Sequence, residues 1–309
     1  MMLRAQTATP WYRQRWLRLV VSGLLLAVLL SRLDLDTAQW LESTRRVVWW
    51  PAAAALLLRP LAVWANAWRT SLILESADTG LSLRDVWRAS MFGEMLSRFV
   101  PGNLGTIAYV IQLSNRAGDA LIAQVLDRVL FLVLTLLAAG VSLVLAGHAL
   151  LGLLAGCALL SVIVAARLAY GGLLQWTPMT SAHRSTVQRM LRRKREWAGA
   201  FVLASALALG LMTLLFWLLV VACGGHIGPP ESVAAVTLVT IGAALPFSIN
   251  GIGIREWVFV ALLADNFPAK EALVTLAGMT YLLGFASALM GLVTWALMRQ
   301  KAKPADAQG

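Results

Sequence analysis

Charge is scarce in this chain. Only 13% of its 309 residues are Asp, Glu, Lys or Arg, against roughly 25% in a soluble domain. With 59% hydrophobic residues, that excludes a water-facing globule and predicts an integral membrane protein. Long polar stretches are also missing. The longest runs from about 171 to 196, well short of the ~50 residues of a minimal domain. A single polytopic membrane domain over 1–309 is therefore expected, with short cytoplasmic tails. Cys157 and Cys223 lie in or beside apolar runs and give neither a disulfide framework nor metal-ligand spacing. His148, His183 and His226 are scattered. There is no G-x-x-x-x-G-K-[ST] loop, hence no ATP-driven motor in this chain, and no Ser/His/Asp or Cys/His constellation. No cofactor or metal is expected. The first apolar run has no small-x-small cleavage site after it, so it reads as a retained helix.

What is present is a series of apolar runs. A spanning helix needs ~20 apolar residues. Six runs meet or approach this: about 16–33, 47–66, 121–147, 149–170, 197–222 and 270–298. Two more, 89–113 and 233–264, are broken at a Pro/Gly centre into two short arms. Irregular backbone at membrane depth must be buried in protein or line a cavity. Both broken segments are therefore expected to be re-entrant helical hairpins. If their arms cross fully, the sidedness of the rest is unchanged.

Basic residues orient the chain. With the N-terminus in the cytoplasm, 18 of the 26 Lys and Arg fall inside, Arg69, Arg84, Arg88 and Arg116 among them, and only Arg32, Arg45, Arg46 and Lys270 fall outside. The positive-inside rule then puts both termini in the cytoplasm. The second half repeats the first as helix, helix, hairpin, long helix, with opposite sidedness. This predicts an inverted repeat, about 16–147 and 149–298, as many transporters use. The net charge of +11 is accounted for by loops facing anionic lipid, with no call for nucleic acid. The basic loop 184–195 is the expected anionic-lipid contact. Trp49, Trp50, Trp64 and Trp68 read as interfacial belts.

Each hairpin's second arm starts near its break, at Gly105 and at Gly251. Helix N-termini carry unpaired N–H groups and partial positive charge, a setting for an anion. Glycine allows close backbone approach. Asn103, Gly105, Ser248, Asn250, Gly251 and Gly253 are therefore candidate substrate contacts, with Pro101, Gly102 and Pro246 as hinges. Charges within apolar segments mark further candidates. Glu94 and Arg98, four apart, can pair. Asp127 and Arg128 are expected to make gating or structural ion pairs with other elements. Arg59 and Arg255 have no evident local partner and are expected to grip an acidic headgroup, Arg being suited to phosphate. Glu256 joins them just past the second break.

"FVPGNLG", "LDR" some twenty residues on, and "LPFSINGIGIRE" in the last third resemble the lysylphosphatidylglycerol synthase transmembrane-region family. That family includes the flippase half of the multiple peptide resistance factor and stand-alone relatives. The resemblance covers about residues 15–298 and implies lipid translocation between leaflets of a bacterial inner membrane. It carries over Pro101, Gly102, Gly105, Asp127, Arg128, Pro246, Asn250, Gly251, Gly253, Arg255 and Glu256. Relatives commonly place an Arg after the first P-G-x-x-G, where this chain has "TIAYVIQL" with Tyr109. The expected function is a lipid flippase or transporter for a phospholipid or other anionic or lipid-linked amphiphile, not an enzyme. A membrane-embedded transferase, with Glu94 or Asp127 as its acid or base, and a scaffold for lipid synthesis are the alternatives. The partner is a membrane lipid, and a homo-oligomer is left open.

Overall fold

A computed structural model describes residues 36–96, 104–168, 181–244 and 252–301, together with 23, 24, 27, 28 and 31. Among these residues there are helices, turns and short connections but no strand. Three helices, Ala117–Leu145, Arg195–Ala222 and Lys270–Thr294, are long and apolar enough to cross a membrane. A fourth crossing is made if the bent pair Thr37–Arg45 and Trp49–Ser76 counts as one. The chain is thus an all-α, multi-pass membrane protein. The run expected at 16–33 falls almost wholly outside the described residues.

Helix α1 (Thr37–Arg45) starts at Asp36, whose Oδ1 accepts the Ala38 N–H at 2.8 Å, as an N-cap should. It bends by 71° into α2 (Trp49–Ser76). Trp49 and Trp50 are exposed at the start of α2. The span expected at 47–66 is therefore too short, and Arg69 is not in a loop. No Pro or Gly follows Pro60 to stop the helix, so it continues through "LAVWANAWRTSLILES". It ends where Asp78 takes a positive φ of 54° and Thr79 Oγ1 donates to the Leu74 carbonyl at 2.9 Å.

Helix α3 (Leu83–Leu96) begins with a reciprocal cap. The Ser82 N–H donates to Asp85 Oδ2, and the Asp85 N–H donates to Ser82 Oγ. Helix α4 (Leu104–Leu113) follows, then α5 (Ala117–Leu145) and α6 (Ala149–Leu168). The segment expected to be a basic loop is largely helical: α7 (Ser181–Arg192) runs almost directly into α8 (Lys194–Ala222). Arg189 and Arg193 from this stretch both reach Asp78, at 3.3 and 3.1 Å. Helices α9 (Pro229–Ala244), α10 (Ile254–Leu263) and α11 (Lys270–Lys301) complete the described chain.

Helices α2 and α8 form the central pair. They run antiparallel, since the Val48 N–H donates to the Ala222 carbonyl where α2 begins and α8 ends. Two apolar clusters lie at opposite ends of this pair. One gathers Ala55 and Ala62 of α2 with Leu215, Leu219 and the α9–α11 residues. The other gathers Ala67, Ile73 and Leu74 with Phe201 and the α3–α5 residues.

The two arm pairs, α3–α4 and α9–α10, each pack closely for the same reason. A Cβ on Gly93 would collide with Thr106 in the first turn of α4. A Cβ on Gly242 would press on Ile254, the first residue of α10. Each first arm therefore needs a glycine near its end. The arms also exchange long-helix partners: α3 packs on α11, and α9 packs on α5. At the first of these contacts a Cβ on Gly291 would run into the Met91 carbonyl. Helix α6 lies mainly along α5, with Gly152 facing the Gly140 carbonyl, the close small-residue approach common between membrane helices.

Gly291→Ala is expected to lower stability by about 1–3 kcal/mol through overpacking, because the obstacle is backbone. Gly210→Ala, where a Cβ would meet nothing within 4 Å, is the control. Thermal unfolding of the purified variants in detergent compares them, and equal midpoints would contradict the packing described.

Candidate substrate cavity

A cavity of about 550 Å³ is walled in part by residues of the first apolar cluster, within the size range of small-molecule sites. Helices α2, α3, α4, α5, α8, α9, α10 and α11 all contribute to its wall. One side is apolar, formed by Leu215, Phe216, Leu219, Val236 and Phe259. Among the described residues, its polar lining carries four arginines, Arg59, Arg69, Arg128 and Arg255, against a single carboxylate, Glu94.

Arg69 is the most completely held. Its Nε and Nη2 fork onto the two oxygens of Asp127 at 2.9 and 3.1 Å. Its Nη1 donates to Asn66 Oδ1 at 3.1 Å, and the Phe131 ring lies 3.8 Å beneath the guanidinium. Thr70 Oγ1 adds a donor to Asp127 at 3.3 Å. The two charged side chains are only 2% and 0% exposed. A buried pair is tolerable when geometry and extra hydrogen bonds satisfy both ions, and here they do. Asp127 thus pairs with another element, as expected from the sequence, but it stands behind Arg69 and does not line the cavity.

Arg59 has no evident local partner in the sequence. In the structure its Nη2 donates to both Glu94 oxygens, at 2.9 and 2.8 Å, and Ser287 bridges the two residues. Pro60 follows Arg59 and has no N–H to donate back along the helix. The partner anticipated for Glu94, Arg98, lies outside the described residues.

Arg128 departs most from expectation. It makes no ion pair or hydrogen bond among the described residues, and its Nε is buried without an acceptor. Its neighbour Asp127 points to Arg69, since adjacent residues on a helix face different ways. Arg128 faces the cavity beside Val129, Phe131 and Leu132.

At the second break, Gly253 is the N-cap of α10 with φ +85°, a conformation that favours glycine. Its N–H donates to Glu256 Oε2 at 2.7 Å. Glu256 Oε1 accepts the Tyr281 hydroxyl at 2.7 Å. Glu256, expected to contact substrate, has both oxygens engaged within the protein and does not line the cavity. The positive end of α10 is met by its own carboxylate. Arg255 does line it. Its Nη1 donates to Thr280 Oγ1 at 3.0 Å, and its guanidinium lies 4.4 Å from the Tyr281 ring centre. Gly105 falls in the first turn of α4, and its neighbour Thr106 lines the same cavity as Arg255. The first turns of both second arms therefore meet one site. Asn103, Ser248, Asn250, Gly251, Pro101, Gly102 and Pro246 lie outside the described residues.

Sequence reasoning missed Arg69, Asn66, Thr70, Ser287 and Tyr281. A signal for the first three existed. Asn66, Arg69 and Thr70 are spaced i, i+3, i+4, which places them on one face of a helix. Nothing local marks Ser287 or Tyr281.

Asp127→Asn leaves Arg69 as an uncompensated buried charge. A loss of about 3–5 kcal/mol is expected, read as a large drop in the unfolding midpoint in detergent. A near-native midpoint would mean the pair is not structural.

No curated protein matches this sequence. A family model described as "Lysylphosphatidylglycerol synthase TM region" matches residues 15–300. That match takes in nearly the whole chain, every cavity-lining helix included, and the chain belongs to the lysylphosphatidylglycerol synthase transmembrane-region family.

Proposed function

We propose that this protein moves an anionic lipid between the leaflets of a bacterial inner membrane, with both termini in the cytoplasm. The observation that carries this is Arg128, a guanidinium whose buried Nε has no acceptor among the described residues, in a cavity that these residues line with four arginines and one carboxylate. An unpaired charge at membrane depth is costly, and a phosphate would satisfy it through charge-assisted hydrogen bonds. The headgroup would sit against the polar wall while its tails remain in lipid. The family's association with a lipid synthase supports a lipid as the ligand.

The architecture fits alternating access built from an inverted repeat with two re-entrant hairpins and six spans. Helices α4 and α10 have 10 residues each and rise about 15 Å, half of the ~30 Å hydrocarbon core. The glycine contacts at Gly93 and Gly242 occupy equivalent places in the two arm pairs. The exchange of long-helix partners, α3 on α11 and α9 on α5, is what two opposed repeats would make. Rocking of one half against the other would open the cavity to alternate sides. The rival transferase reading draws less support. Asp127 is sealed by Arg69, and Glu94 is held by Arg59 and Ser287. At the cytoplasmic face, Arg192 and Arg195 are exposed and suit anionic lipid, while Arg189 and Arg193 are engaged by Asp78.

Arg128→Ala is expected to weaken binding of short-chain phosphatidylglycerol by about 10- to 100-fold, the scale of one or two hydrogen bonds to a charged group. Translocation of labelled phosphatidylglycerol in proteoliposomes should fall accordingly, with the fold intact. Folded wild-type protein that moves no candidate anionic lipid would overturn the reading. Product formation in detergent, with no bilayer, would favour the transferase.

A further inference from the structure

Two arginine–carboxylate pairs border the cavity, and they are built differently. Arg69 and Asp127 meet fork to fork, with the third nitrogen of Arg69 bonded to Asn66 and side chains 2% and 0% exposed. Arg59 and Glu94 meet through a single nitrogen, Nη2. Their side chains are 15% and 23% exposed, and both line the cavity. The other terminal nitrogen of Arg59, Nη1, has no acceptor among the described residues, and its Nε reaches Ser287 at only 3.4 Å. One pair is sealed; the other is a half-used guanidinium facing a space that an anion would occupy.

We infer that Glu94 is the resident occupant of the substrate's anion site: it holds Arg59 between transport events, and the incoming phosphate displaces it. This rests on the reading of the cavity as an anionic-lipid site. A phosphate presents oxygens to which two nitrogens of the guanidinium fork can donate at once, whereas Glu94 takes donations from Nη2 alone. Arg128, which lines the same cavity, supplies the second cation.

The arrangement has a transport role. A carrier must return without cargo, and an uncompensated guanidinium at membrane depth would oppose that step. Glu94 neutralises Arg59 during the return, and the phosphate neutralises it during the loaded passage. Glu94 therefore competes with the ligand for one cation. Competition of this kind is a reciprocal coupling between two binding events.

The test uses the full chain in detergent and dihexanoyl phosphatidylglycerol as probe, with affinity measured by calorimetry. Glu94→Gln is expected to bind the probe roughly tenfold more tightly than wild type, within the usual range of such couplings. Ser287→Ala, which loosens the pair without removing it, should shift affinity the same way by less. In proteoliposomes, labelled phosphatidylglycerol should still exchange against unlabelled lipid in the opposite leaflet in the Glu94→Gln variant, while net movement into a leaflet lacking it slows. Equal or weaker probe binding by both variants, or equal slowing of exchange and net movement, overturns the inference while leaving the cavity reading intact. If Glu94→Gln fails to fold, Ser287→Ala decides: unchanged or weaker binding overturns the displacement. Absence of both binding and translocation in the wild type overturns the cavity reading itself, and this inference with it.

Discussion

The fork between Arg69 and Asp127 sets the geometry of the whole centre. It ties α2 to α5 at a point where neither residue could remain charged alone, because hydrocarbon offers an ion no compensation. Once Asp127 turns to Arg69, the helical repeat rotates Arg128 away from it and into the cavity. The Phe131 ring, one turn on, then lies under the Arg69 guanidinium and closes that side. The apolar clusters lie toward either end of the α2–α8 pair, and the cavity's arginines come from α2, α5 and α10.

A contrast between the hairpins follows from local chemistry. Both second arms begin at the cavity and both have 10 residues. At α10 the start of the helix is closed by Glu256, three residues after its N-cap, and Tyr281 fixes that carboxylate from α11. No acidic residue occupies the first turn of α4. The same backbone device is thus self-satisfied in one half, and Arg255 stands at the cavity in place of a free helix end.

Much of this was legible in the residues. The Pro/Gly breaks marked both arm pairs, and the scarcity of charge drew attention to Arg59, Glu94, Asp127, Arg128 and Arg255, four of which line the cavity. What the residues could not show was direction. Arg128 and Asp127 are neighbours in sequence, yet Asp127's partner is 58 positions away, and no local pattern names it. The three-residue spacing from Gly253 to Glu256 fits a helix cap and a ligand contact equally well until the side chain's orientation is known. Arg69 was placed in a loop because polar residues interrupt the run. A helix continues through such residues whenever a partner waits on the neighbouring helix, and the partner here belongs to α5.

The unbalanced guanidinium of Arg128 has an electrical consequence. An elementary charge carried across the full transmembrane potential exchanges about 2.3 kcal/mol per 100 mV. Any rearrangement that shifts Arg128 along the membrane normal therefore couples the protein to that potential. If a phosphate binds Arg128 as proposed, it would cancel the displaced charge, so the potential would act on the unloaded protein and largely spare the loaded one. On the proposed transport reading, the resting voltage of the cell would then set how quickly the protein resets rather than how quickly it delivers.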